Sequence, residues 1–381
     1  MWYERVVTTD GGPAVAIDVT PLIGPPSGIG VAVAGIVDAL NAADPPIGSV
    51  PYSLSGRAGL RPSGGPPETR GVPIPAGLLL RAWGRTDHPG IDRWLRPARV
   101  VHATNYLAPP SRLPMVVSVW DCSFVRDPAA CTPAIRALGP VVRRAVARGA
   151  VLHCASEFAA EEADAVFGPG LREAGRIAVV PLGAPPVPVA GALPDRVDAD
   201  RPFVLAIGSF ETRKNLPVLV DAFGALAAAR PDLRLVLAGR DGPDRPAVDA
   251  AVARLDPAIR DRVVLTGPVD DGARGALLRR ATVVAYPSRY EGFGFPVLEA
   301  MAAGIPVVAG RAGSIPEVAG DGALLVDPDD HDALADALAT ALDDPDLRAA
   351  IIGRGTARVS AFPWSATGRG LADLYRRLAG S

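Results

Sequence analysis

Two glutamates eight positions apart, Glu291 and Glu299, stand in the stretch SRYEGFGFPVLEAMAAG (288–304), among glycine and apolar residues. A carboxylate can accept both hydrogen bonds of a vicinal diol, and such charge-assisted bonds are stronger than neutral ones. Glu299 is therefore suited to a ribose diol and Glu291 to hydroxyls of a second, transferred sugar. Glycines 292 and 294 let the backbone approach a ligand and present N–H groups to it. Pro296 marks the first residue of a helix, PVLEAMAAG, which places Glu299 in its first turn or so. The positive end of that helix favours an anion, so phosphate fits between the two carboxylates. Singly, either glutamate is better explained by solvation or by the helix dipole; the whole pattern at a strand-to-helix junction points to function.

Of the 39 basic residues 38 are arginine, and Lys214 is the one lysine. The abundance of Ala, Gly and Pro suggests a GC-rich coding sequence, which replaces lysine wherever arginine will serve. A lysine that survives this bias marks a place where a compact ammonium is needed.

Such residues need a scaffold. In the second half, FVLAIGS (203–209), LRLVLAG (233–239), RVVLTG (262–267), ATVVAYP (281–287), IPVVAG (305–310) and GALLVD (322–327) are short apolar runs ending in turn residues. Helical patterns such as LPVLVDAFGALAAA (216–229) lie between them. Continuous apolar strands alternating with helices predict a parallel sheet covered on both faces. The first half repeats the theme at 14–20, 98–104, 114–120, 150–156 and 177–183. The expected fold class is α/β, with two doubly wound Rossmann-like domains and a cleft between them, ligands binding beyond the carboxyl ends of the strands. The boundaries read as 1–187 for the first domain, 188–202 for a Pro- and Gly-rich linker and 203–364 for the second domain. Residues 365–381 read as a final amphipathic helix that crosses back to the first domain. Residues 56–77 read as a long loop.

Composition narrows the function classes. The net charge of −2 argues against a nucleic-acid binder that works by bulk charge. Three cysteines, Cys122, Cys131 and Cys154, lack metal-ligand spacing, and the four histidines are scattered. Asp-x-Asp triplets at 198–200, 327–329 and 344–346 are expected by chance in so acidic a chain, and none follows a strand as a metal site would. No metal and no cofactor are expected. The N-terminus shows no secretory pattern and no run is long enough to span a bilayer, so the expected location is cytoplasmic.

The stretch SRYEGFGFPVLEAMAAGIPVVAGRAGSIPEVAGDGALLVDPDD resembles the C-terminal signature of retaining glycosyltransferase family 4, the glycosyl transferases group 1, which has the GT-B fold. The resemblance implies that Glu291 contacts the donor sugar, that Glu299 holds the ribose, and that amides of Gly292, Phe293 and Gly294 meet sugar or phosphate. IGSFETRKNL (207–216) resembles the family's diphosphate loop, with Lys214 at the lysine position. Ser209 stands where many members have arginine, a role that Arg213 is placed to fill. TGPVDD (266–271) matches the turn whose backbone reads the base, at Pro268 and Val269. GPPSGIGVAVAGIVDAL (24–40) resembles the glycine-rich turn facing diphosphate and acceptor, through Gly28 and Gly30. VVSVWDCSFVRDP (116–128) departs from the pattern: Trp120 and Asp121 stand where the family has His-Asp. Trp120 cannot act as a base but can pack against a sugar, and HATNYLAPP (102–110) adds His102 and Asn105 as polar candidates for that pocket.

The implied function is transfer of a hexosyl group, mannose being the best match, from a nucleotide diphosphate sugar such as GDP-mannose. The acceptor is a glycan, lipid-linked or small-molecule hydroxyl, as in polysaccharide biosynthesis, and peripheral contact with the inner face of a membrane is compatible with it. Lys214, Arg213, Glu291 and Asp121 are the expected catalytic set. The alternative is a catalytically idle homologue that binds nucleotide sugar or glycan as a regulatory or scaffold subunit, motivated by Trp120 and Ser209. An epimerase or phosphorylase on the same fold is a third reading.

Overall fold

The computed structural model describes residues 14–23, 27–54 and 69–380. The N-terminal stretch, Gly24 and most of the segment expected as a loop at 56–77 lie outside the described residues.

The chain divides into two compact units, one of Met1–Gly183 with Phe362–Ser381 and one of Ala184–Ala361. The first contains a parallel sheet of β1 (Val15–Asp18), β2 (Ser49–Ser53), β3 (Arg70–Gly71), β4 (Val100–Ala103), β5 (Met115–Val119), β6 (Val151–Cys154) and β7 (Ile177–Val179), in the order β3-β2-β1-β4-β5-β6-β7. The second contains β8 (Phe203–Ile207), β9 (Arg234–Ala238), β10 (Val263–Gly267), β11 (Val283–Tyr286), β12 (Val307–Gly310) and β13 (Leu324–Val326), in the order β10-β9-β8-β11-β12-β13. All pairings are parallel. Each sheet is covered by helices, which is why its strands read as unbroken apolar runs. In the second unit, Leu219, Val220 and Phe223 of the helix Leu216–Ala227 close one face of the core over Leu235 and Leu237, together with Leu334 and Leu338 of His331–Asp343.

Every strand expected in the second half is present. β2 and β3 were not legible, because β2 carries Pro51 at its centre, paired with Ile17, and a proline inside a short run argues against a ladder.

The segment expected as a linker lies against its own unit. Gly191 donates its N–H to the Gly272 carbonyl at 2.8 Å, and Arg279 reaches the Pro188 carbonyl at 3.3 Å. A Cβ at Gly275 would fall 2.4 Å from that same carbonyl oxygen, so only glycine permits the approach. The final helix runs from Trp364 to Gly380 and packs in the first unit, on the helix Gly28–Asn41. Leu371, Leu374 and Tyr375 are buried there. The Trp364 indole fills space that Gly35 and Gly183 leave, since a Cβ at either would meet its ring at 2.2 or 2.3 Å. Among the described residues no helix is long and apolar enough to cross a membrane.

Candidate active site

In the second unit the strand order reverses between β8 and β11. The loops leaving the carboxyl ends of those two strands open a crevice, the place where open α/β sheets bind ligands. Residues 208–215 and 287–294 are these two loops, and they carry Lys214 and Glu291. The loops are tied by the Arg289 N–H, which donates to the Arg213 carbonyl at 2.8 Å. Asn215, at φ 57°, starts the helix Leu216–Ala227 from a left-handed conformation and donates through its amide to the Pro328 carbonyl.

The charged groups converge on one atom. Glu291 Oε1 lies 2.6 Å from Lys214 Nζ and 2.7 Å from Arg213 Nη1. Arg213 also pairs with Glu211 at 2.8 Å and donates to the Tyr290 carbonyl at 3.2 Å. Lys214 donates to the Tyr286 hydroxyl and sits 4.6 Å from the centre of that ring. The Glu291 main chain is fixed as well: its carbonyl accepts from the Ser314 N–H at 3.0 Å and from Ser314 Oγ at 2.9 Å. Gly313, at φ 59°, allows this approach, because its Cβ would fall 2.6 Å from the Glu291 oxygen. Ser209 does not reach into the cluster directly; its hydroxyl donates to Glu211 Oε1 at 2.6 Å.

Burial would raise the pKa of Glu291, but Lys214 and Arg213 outweigh it and hold the carboxyl at about 2. Burial lowers that of Lys214, with Glu291 opposing. At neutral pH Glu291 is therefore an acceptor of hydrogen bonds and not a proton donor.

Gly294 forms the N-cap of the helix Phe295–Ala302 at φ 100°, and a Cβ there would fall 2.5 Å from Ile315 Cδ1. Gly292 and Phe293 are buried, the Phe293 ring meeting Phe295 edge to face at 5.4 Å. The helix begins one residue before Pro296, which puts Glu299 fifth, in the second turn. At that position the helix dipole accounts poorly for Glu299, since that effect fades beyond the first turn. Glu299 is 2% exposed and pairs instead with Arg274 of the helix Asp271–Arg280. Burial raises its pKa while Arg274 opposes. Pro268 is exposed and Val269 half-buried, just past β10. Asp270 then caps the next helix by accepting from the Ala273 N–H at 2.7 Å.

In the first unit the order reverses between β1 and β4. The loop after β1 leads to the helix Gly28–Asn41, whose Gly30 N–H is taken by the Ser27 hydroxyl at 3.1 Å. Of the two glycines expected to offer amides to a diphosphate, Gly30 is thus spent on its own cap. Asp18, at the end of β1, is 1% exposed and accepts from the Thr20 N–H at 2.9 Å and from the Thr20 hydroxyl. Burial lifts its pKa to about 6, against the lowering effect of those bonds.

The expected sugar pocket differs most. His102 is fully buried: Nδ1 bonds the Tyr375 hydroxyl at 2.6 Å and Nε2 the Ser118 hydroxyl at 2.8 Å. The chain continues through Ser118 to His153 Nδ1 at 2.9 Å and from His153 Nε2 to the Val180 carbonyl at 3.0 Å. His102 is therefore a satisfied core residue, closed to a sugar in this arrangement. Trp120, 9% exposed, donates from Nε1 to the Thr104 carbonyl at 2.9 Å and meets His153 edge-on, so little of its ring is open to a ligand. Tyr106, at φ 60°, accepts through its hydroxyl from the Trp120 and Asp121 N–H groups at 3.1 and 2.9 Å. Asp121 is half-buried and accepts from the Ser123 N–H and hydroxyl at 3.0 and 2.7 Å, while Asn105 is half-buried in the turn after β4.

Arg274, Tyr286, Ser314 and Asp18 were not singled out from the sequence. Arg274 is one arginine among 38, and Tyr286 stands in a strand that reads as core. Among the described residues no group of three or more His, Cys, Asp or Glu side chains is placed to hold a metal ion.

Residues 195–358 match the model of the family described as glycosyl transferases group 1. The alpha-D-kanosaminyltransferase of Streptomyces kanamyceticus is 32% identical over 182 residues, 47% of this chain and 46% of that protein. The phosphatidyl-myo-inositol mannosyltransferase of Mycolicibacterium smegmatis is 31% identical over 182 residues, again 47% and 46%. The match thus spans less than half the length of these relatives. Among solved structures, the sucrose-phosphate synthase of Thermosynechococcus elongatus superposes with a TM-score of 0.75 at 22% identity, over 97% of this chain and 100% of that one. That likeness extends over both units and gives the fold as GT-B. Residues 195–358, with their reversed strand order and the Lys214–Glu291 pair at the reversal, are thus the part of the chain that is similar to the glycosyl transferases group 1 family.

Proposed function

We propose that the protein is a retaining glycosyltransferase that moves a hexosyl group, most simply mannose, from a nucleoside diphosphate sugar to an acceptor hydroxyl. The observation that carries this reading is the convergence of Lys214 and Arg213 on Glu291 at the strand-order reversal of the second unit. Two cations and an ionised carboxylate meet the needs of a diphosphate and a polyhydroxylated ring. Mannose is favoured by the mannosyltransferase named among the relatives.

In the proposed reaction the bond between the anomeric carbon and the diphosphate oxygen breaks. The acceptor oxygen bonds to that carbon on the same face, and its proton passes to the departing phosphate. The protein supplies positions and charge. Lys214 and Arg213 stabilise the negative charge that grows on the diphosphate, and Glu291 accepts from the sugar's hydroxyls. Amides of Gly292, Phe293 and Gly294 serve the sugar or phosphate, and Glu299 the ribose, with the Pro268–Val269 turn at the base. Ser209 acts through Glu211. Gly28, Asp121, Asn105 and the exposed edge of Trp120 belong to the acceptor side, where a glycan, a lipid-linked or a small-molecule hydroxyl would be held.

A thermal-shift panel of GDP, UDP and dTDP tests the reading. A ligand at 100 times its Kd stabilises the native state by about 2.7 kcal/mol. GDP should raise Tm most, and a panel with no shift would overturn the proposal. The enclosed Trp120 favours one second reading, an idle homologue that binds a nucleotide sugar without turnover. That reading predicts the same Tm shift with neither transfer nor donor hydrolysis.

A further inference from the structure

Arg274 has no part in the reaction just described, yet its guanidinium is joined to the buried Glu299 carboxylate through Nη2 and Oε2. No described residue bonds to Glu299 Oε1, so one oxygen is held and the other is available for a ligand. Arg274 Nε is buried without a hydrogen-bond partner, which leaves the contact with Glu299 to orient the guanidinium. The arginine itself rides on a fixed element. Its helix, Asp271–Arg280, is capped by Asp270 and pinned by the 188–191 segment at Gly272 and Gly275. We propose that Arg274 positions the Glu299 carboxylate for the ribose diol of a nucleotide, and that it sets how nucleotide affinity depends on pH. The inference rests on the nucleotide-sugar reading.

The physical reason is the burial of Glu299. A carboxyl 2% exposed takes up a proton easily, and a protonated carboxyl accepts a diol poorly. Arg274 opposes that uptake, whereas Asp271, one turn earlier on the same helix, favours it. The helices packed against Phe295–Ala302 add no further charge to Glu299. Arg358 of Pro345–Val359 spends its guanidinium on the carbonyls of Glu317 and Val318, and Arg354 lies 4.0 Å from Asp321. Lys214 and Arg213 are engaged by Glu291.

The test is calorimetric titration of the full-length protein with GDP between pH 6 and 8.5, using wild type, Arg274→Met, Arg274→Lys and Arg274→Met/Glu299→Gln. The nucleotide's own titration cancels in the ratio of variant to wild-type affinity. For Arg274→Met that ratio should be lowest at pH 6 and rise by about twofold or more toward pH 8.5 as the carboxyl ionises. The double variant should show a low ratio that does not change with pH, and Arg274→Lys should lie between wild type and Arg274→Met. Wild type should discriminate against 2′-deoxy-GDP more strongly than Arg274→Met does at pH 6. A ratio for Arg274→Met that is independent of pH, whether high or low, overturns the positioning role. A wild-type protein that binds no nucleoside diphosphate at any pH instead overturns the nucleotide reading, so the two failures are distinct. Unfolding curves of each variant separate a folding defect from a binding one, and Arg274→Lys carries the test if Arg274→Met does not fold.

Discussion

Lys214 Nζ lies 2.6 Å from Glu291 Oε1, so on the proposed reading a diphosphate must draw the ammonium away from that carboxylate. The interaction with the leaving group then strengthens as charge grows on it, and such an interaction appears in kcat. Lys214→Ala should therefore lower kcat by about 100-fold or more while weakening nucleotide binding much less. Lys214→Arg should recover part of the loss, because a planar fork cannot replace a point charge between Tyr286 and Glu291. Steady-state transfer beside calorimetry checks both; equal kcat in all three proteins would place the phosphate elsewhere. Lys214 was legible because one lysine among 38 arginines is conspicuous. Arg274 was not, for the same compositional reason, and its partner Glu299 gave no sign that one oxygen is already taken. His102 misled because a histidine near a strand end reads alike whether it faces a ligand or, as here, a Tyr375 helix 273 positions away.

At the scale of elements, the strand-to-helix junction at Gly294 carries the heaviest constraint. Its φ of 100° and the 2.5 Å approach to Ile315 both exclude a side chain. Gly294→Ala should destabilise the second unit by about 1–3 kcal/mol and shift the amides of 292–294. Urea unfolding and nucleotide titration of the variant measure the two effects, and an unchanged midpoint with unchanged affinity would show the loop to be tolerant. The elements of this unit were readable since each strand is buried on both faces and ends in turn residues. The helix starts one residue before Pro296, and the ion pair that Glu299 makes with Arg274 of another helix was not legible from its own stretch. In the first unit β2 escaped because the sheet accommodates Pro51 where a short-range reading sees a breaker.

At the scale of the whole molecule, the units should respond differently to acid. His153 is held by burial near a pKa of about 4, and burial drives that of His102 well below the ordinary value. Both are depressed, so their contribution is complete above about 6.5 and is lost as the pH falls toward 4. For His153 alone the loss is about 3 kcal/mol. Asp18, raised to about 6, acts in reverse: its contribution is present below 3.8 and lost as the pH rises through 6. It therefore offsets one histidine over the same window. Glu291, depressed to about 2, withdraws its support only below about 4.5, and it lies in the other unit. The first unit should loosen at higher pH than the second. The four described tryptophans, Trp83, Trp94, Trp120 and Trp364, belong to the first unit and none to the second, so indole fluorescence does not report the second unit, whereas circular dichroism reports both. The fluorescence transition should come first on acidification, and Asp18→Asn, which stays neutral, should stabilise the first unit most at neutral pH and steepen its loss of stability on acidification. Coincident transitions in both proteins would contradict this.

The division of the chain also has a consequence for its making. Residues 184–361 form their unit from one continuous stretch, whereas the first unit needs Phe362–Ser381 as well. During synthesis from the N-terminus, the helix Gly28–Asn41 must wait with its apolar face bare while the entire second unit emerges and folds. Only when Trp364 and Tyr375 leave the ribosome can the indole settle over Gly35 and Gly183 and the tyrosine hydroxyl meet His102. The first unit to begin is thus the last to finish, and over that interval its exposed seam is what a chaperone would hold.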